Sequence, residues 1–188
     1  MRSFDPRLVG AVECRAWETY YRRKWAAFLV ASVRLVRGAF GMPWRPTLKG
    51  AWLVLRANQK WAPVPDNDPA AARRLMEAFY RLLIASEPLL FDPVRAAELE
   101  VEWWRVHRAH QQGQEGFDAL VDALVALYAH VYGAEPSELR RAAELRAEAM
   151  DVSDAWVEAG CDPQDPQLGR ERALLVRSYA ALLAAVHH

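Results

Sequence analysis

Aspartate followed by proline occurs five times in this chain, at Asp5-Pro6, Asp68-Pro69, Asp92-Pro93, Asp162-Pro163 and Asp165-Pro166. An aspartate side chain accepts from the free N–H groups of a first helical turn. Proline suits the first helical position because its missing N–H has no partner there in any case. The first three pairs each precede a long stretch of apolar residues recurring at three and four. Gly38, Gly41, Gly113, Gly133 and Gly160 supply stops at the other ends. This punctuation predicts an all-α chain, a single bundle-like domain of about seven helices. They are expected over 6–37 (bent near Gly10), 47–60, 69–85, 93–112, 117–132, 136–159 and 166–186. No window alternates apolar and polar in the manner of a strand for more than a few residues. The proline-rich connector from Ala62 to Asn67 reads as a stiff surface turn.

The 117–132 segment shows the core logic plainly. Phe117, Leu120, Val121, Leu124, Tyr128 and Val131 share one face, with Asp118 and Asp122 opposite. In 136–159 the inward face carries Leu139, Ala142, Ala143, Met150 and Val157, and also Arg146, a charge expected to need a partner. At 188 residues, with 53% apolar and 26% charged residues, the chain is long and apolar enough for one folded domain. Cys14 and Cys161 fit neither a disulfide framework nor a thiolate zinc site, and read as free thiols of a cytoplasmic protein. The amino terminus lacks the apolar run of a signal peptide. The stretch 25–33, ended by Arg34, is far short of the ~20 residues that cross a bilayer. His187 and His188 have the look of a tag remnant and are given no role.

Charge is unevenly distributed. Residues 1–65 hold twelve basic and three acidic side chains, and residues 66–188 hold twelve basic and twenty-one acidic. Nothing acidic lies between Glu18 and Asp66, a stretch rich in Trp, Tyr, Arg and Lys. The overall balance of zero argues against a nucleic-acid coat. The plain expectation is that the basic face of the amino-terminal hairpin pairs with the acidic remainder. A basic, aromatic amphipathic helix also suits contact with an anionic membrane surface or an anionic ligand. Trp44 and Arg45, a flat wall beside a planar fork, are the expected rim for such a ligand. The many aromatics of this hairpin also suggest a homodimer.

The constellation richest in chemistry lies in 93–112. At helical spacing Glu100, Trp103, His107 and His110 share the inward face, while Glu98, Glu102, Arg105 and Ala109 fall opposite. One carboxylate and two imidazoles on one face can hold a polar ligand, a metal or a haem, or move a proton. Arg146 is the expected partner of Glu100. The residue three before His107 is Trp104, so the Glu-x-x-His motif of di-iron bundles is absent, as is HExxH.

The runs Tyr20-Tyr21-Arg22-Arg23-Lys24-Trp25, Leu55 to Pro69 and Leu99 to Arg108 together resemble a group of uncharacterised all-helical proteins of high-GC Gram-positive bacteria. That resemblance implies no activity. In size and helix number the chain is also similar to haem-oxygenase-like and ferritin-like bundles. Two functions are therefore expected to compete. One is a non-catalytic binding protein for a small, partly apolar anionic ligand held by Glu100, Trp103, His107, His110, Arg146, Trp44 and Arg45, or for a partner on the basic helices. The other is an oxidoreductase whose metal or haem is held by Glu100, His107 and His110.

Overall fold

Eight helices, one more than expected, are present in a computed structural model that describes residues 3–187. They are α1 (Pro6–Tyr21), α2 (Trp25–Phe40), α3 (Trp44–Trp61), α4 (Pro69–Ser86), α5 (Pro93–Gln111), α6 (Phe117–Tyr132), α7 (Pro136–Glu158) and α8 (Gln167–Ala185). Asp5, Asp68 and Asp92 cap as expected, their carboxylates accepting from Arg7, Ala71 and Val94 backbone N–H groups.

The extra helix comes from a break in the expected 6–37 segment. The bend does not fall at Gly10, through which α1 runs unbroken; it falls at Arg23, which sits in the left-handed region at φ 56°. There the Lys24 N–H donates to the Thr19 carbonyl and the Arg23 N–H to that of Tyr20. These two bonds close a Schellman motif. The same pair of bonds ends α5 at Gly113 and α7 at Gly160. Glycine takes that conformation freely, whereas an L side chain costs about 1–2 kcal/mol, so nothing in the local sequence announced the stop at Arg23.

Each helix packs on its chain neighbours, and α8 returns to pack on α1. The bundle is therefore a closed ring. Gly10 allows the closure, because a Cβ there would lie 2.6 Å from the Val176 backbone nitrogen of α8. Helices set ~8–10 Å apart in a ring of eight enclose more axial space than short side chains fill. Large aromatics fill most of it, among them Phe79, Tyr80, Trp103, Trp104 and Tyr128, all buried. None of the helices among the described residues is long and apolar enough to cross a membrane.

The expected pairing of the two charged halves does not form among the described residues. Among the described residues, the cations of the first 65 pair only with Glu18, through Arg15 and Arg22. The single ion pair between the halves among the described residues runs the other way, from Arg146 on α7 to Glu13 on α1.

Candidate functional site

The ring axis holds a chamber of about 200 Å³ to which every helix contributes. None of its lining residues is exposed at the protein surface. A second chamber of about 230 Å³ adjoins it, and the two share Trp17, Phe28, Asn58, Trp103 and Trp104. Exposed Arg23, Val64 and Gln111 line the second one, which is thus the vestibule of the first.

The inner chamber is apolar with a polar floor. Arg146 comes from α7 and Glu13 from α1, with side chains only 12% and 4% exposed, and they form an ion pair. A second guanidinium nitrogen of Arg146 donates to the Tyr128 hydroxyl over 3.0 Å. The guanidinium carbon stands 5.2 Å from the centre of the Trp103 ring. Glu100 faces the same space from α5 and accepts from the Tyr80 hydroxyl at 2.8 Å. Burial pushes the Glu100 carboxyl above the usual carboxylate range. The Tyr80 hydroxyl and then the Arg146 charge moderate that rise. Tyr132 and Tyr179 border the chamber too, and burial keeps both phenols protonated well beyond neutral pH.

The vestibule differs. None of its lining residues is acidic, and it carries two guanidiniums, those of Arg23 and Arg108. Arg108 donates to the Trp61 carbonyl at 2.9 Å, with its guanidinium 4.1 Å from the Trp61 ring centre. Arg23 donates to the next carbonyl, that of Ala62, at 3.2 Å. The carboxy-terminal carbonyls of α3, which carry the negative end of its dipole, thus hold the two cations side by side. Neither cation forms an ion pair among the described residues. Burial, foremost, pulls the Arg108 pKa below its ordinary value, and the Arg23 charge adds to this. It remains a cation at neutral pH.

Of the residues expected to form a site, Glu100, Trp103 and Arg146 meet at the inner chamber, and His107 lines the vestibule. Arg146 is not the hydrogen-bond partner of Glu100, however. Glu13 takes that guanidinium because α1 and α7 flank α8 and both turn toward the axis, and Tyr80 of α4, the neighbour of α5, serves Glu100 instead. His110 lies outside both chambers, bridging α5 to α7 through Asp151 at 2.9 Å and to the Glu115 carbonyl at 3.0 Å. His107 is bonded to Asp154 at 3.0 Å. Glu100, His107 and His110 thus each turn to a different partner and do not converge on a common point. No group of three or more His, Cys, Asp or Glu suited to a metal occurs among the described residues.

Trp44 and Arg45 are displaced from the site altogether. They sit exposed at the start of α3, where the Arg37 guanidinium stacks 4.2 Å from the Trp44 ring centre, while the opposite end of that helix borders the vestibule. The decisive side chains that sequence reasoning passed over are Arg23, Arg108 and Glu13. Arg23 lies opposite the apolar stripe of its helix and reads as a surface charge, Arg108 belongs to no motif, and Glu13 is one of three acids in a basic segment. The one available signal was that Glu13 lies four before Trp17 on the apolar stripe of α1. No family model, curated protein or solved structure matches this chain.

Proposed function

We propose that this protein is a non-catalytic binder of a small, partly apolar anionic ligand. The acidic group of the ligand lies on Arg23 and Arg108, and its apolar body enters between Trp17, Phe28, Trp103 and Trp104. The observation that carries this reading is the pair of guanidiniums without an acid partner, anchored on consecutive carbonyls at the entrance to an aromatic chamber. A guanidinium has five N–H donors; Arg23 gives one to the Ala62 carbonyl, and Arg108 gives donors to the Trp61 carbonyl and the Tyr20 hydroxyl, so both keep donors for a carboxylate or phosphate. The left-handed backbone at Arg23 adds support, since a strained non-glycine residue is kept where its placement matters. The inner chamber then offers a distal polar group the Tyr132 phenol and the Glu100 carboxyl, so a ligand polar at both ends fits best.

The test compares 1-naphthaleneacetate with its uncharged methyl ester, read by quenching of tryptophan emission and by calorimetry. The acid is expected to bind and the ester to bind more weakly. Arg23→Gln and Arg108→Gln should each weaken the acid by about 10-fold or more, the worth of one charge-assisted hydrogen bond, and leave the ester unchanged. Equal affinity of acid and ester, or variants that bind the acid like the wild type, would overturn the assignment. Thermal melts of the variants check that the ring remains closed.

A further inference from the structure

The outer face of α3 carries an arrangement that the chambers do not use. Trp44, Leu48 and Trp52 recur every fourth residue and are 59%, 54% and 52% exposed. Arg45, Lys49, Arg56 and Lys60 are exposed beside them, and the helix holds no acidic residue. The Arg56 guanidinium lies 5.9 Å from the Trp52 ring centre, and Arg37 covers Trp44 from α2. None of these five cations is in an ion pair among the described residues, and the acidic remainder of the chain does not turn toward them. An apolar strip this wide is normally buried in a monomeric protein.

We infer that this face of α3 docks on an anionic lipid bilayer. Charge decides between the available occupants. A second copy of the same face would set at least four cations against four with no acid to relieve them, which excludes an isologous pair. A nucleic-acid backbone would meet the cations but leave two indoles and a leucine without an apolar counterpart. A bilayer with anionic headgroups supplies both requirements at the depths where they are needed. Lysine and arginine stay at the headgroup level, and tryptophan and leucine sink a few ångströms to the acyl boundary. The same helix ends at Trp61 and Ala62, whose carbonyls hold the vestibule cations, so a docked α3 keeps the chamber entrance tied to the membrane-bound element.

The experiment is co-sedimentation of the full chain with vesicles of phosphatidylcholine alone, or containing about 30% phosphatidylglycerol. The wild type should partition onto the anionic vesicles about tenfold more strongly or better, and lose that preference in high salt. The combined variant Trp44→Ser, Leu48→Ser, Trp52→Ser should lose binding at any salt, as should Arg45→Gln, Lys49→Gln, Arg56→Gln, Lys60→Gln. Both alter only exposed side chains, so melting temperatures should hold. Three results would each overturn the inference: equal partition onto neutral and anionic vesicles, wild-type binding by the triple serine variant, or self-association in sedimentation velocity that the triple variant abolishes. Tight binding to a DNA duplex with no vesicle binding would assign the face to a polyanion instead, which also overturns it. Arg108→Gln should bind vesicles normally, so this result stands or falls apart from the chamber reading.

Discussion

Two carboxyl groups on adjoining helices are buried in this ring under opposite regimes. Glu13 on α1 points to the axis, where α7 delivers Arg146 and α6 delivers Tyr128. Glu171 on α8 lies in the seam between α1 and α7, wholly inaccessible, and neither of its oxygens meets a donor in hydrogen-bond geometry. Burial pushes the Glu171 pKa up to about 8, with the Cys14 thiol and Ser153 hydroxyl only moderating it and Glu13 and Glu18 adding to the rise. The Cys14 thiol is itself pushed up by burial and then by the Glu171 charge. The contrast teaches where this fold tolerates charge. On the axis, side chains from helices that are not direct neighbours meet and an ion pair assembles. In the seam, backbones approach closely, no cation fits, and the acid keeps its proton up to a pH of about 8.

The largest expected loss comes from breaking the axial pair. Arg146→Met leaves Glu13 buried beside apolar groups, which should cost about 3–5 kcal/mol in urea unfolding. Adding Glu13→Leu should recover most of the loss, because the pair's net worth is far below the cost of one orphaned charge. A double variant as weak as the single one would mean that Arg146 supports the ring in some other way.

In the seam the sign reverses, since removing the acid should help. The raised pKa means that the native state holds a proton the unfolded chain has released, between the ordinary carboxylate range and pH about 8. Stability therefore falls as pH rises through that window and levels off above it. Glu171→Gln should erase this slope and exceed the wild type at pH 8.5 by about 4–5 kcal/mol, with little difference near pH 4. Urea midpoints across that range decide it, and parallel curves for the two proteins would refute the account.

Gly10→Ala sharpens the comparison by loosening the seam itself. A Cβ would meet backbone atoms of Leu175 and Val176, none of which can rotate away. The expected loss is about 1–3 kcal/mol. As α1 and α8 separate and water reaches Glu171, the wild-type pH slope should become shallower.

These two regions also show how far the sequence could be read. Asp-Pro starts and glycine stops placed six of the seven segments well, all but 6–37, and 117–132 matches α6 to the residue. Those signals are local, resting on backbone hydrogen bonds within a few residues. Arg23 was illegible because its left-handed turn is held by contacts to Trp25 and to the Ala62 carbonyl, 39 residues away. Helical phase brought Glu100 and Trp103 to the axis. It placed His110 inside as well, because a wheel records angle but not height. At the last turn of α5 the inward direction meets Asp151 and the loop carbonyl of Glu115 rather than the chamber. Which acid faces Arg146 depends on the closure of α8 onto α1, a long-range fact with no local signature.

The smallest effect isolates His110. Its two ring nitrogens both face acceptors, the Glu115 carbonyl and the Asp151 carboxylate, so both must carry protons to satisfy them. Partial burial opposes the charge, yet the Glu115 carbonyl and then Asp151 outweigh it and the pKa stands above the ordinary histidine value. The stabilisation is therefore complete below the ordinary value and is lost as pH rises through the raised one. Being partly solvated, the bridge is worth about 0.5 kcal/mol. His110→Gln should cost that much at pH 6 and nothing at pH 9, and Asp151→Asn should remove the same increment. This window overlaps that of Glu171 and has the same sign, so the measurement belongs in the Glu171→Gln background. There a residual decline in stability between pH 6 and 9 that vanishes with His110→Gln would assign it to the bridge, and a flat profile before that second change would show the bridge to be silent.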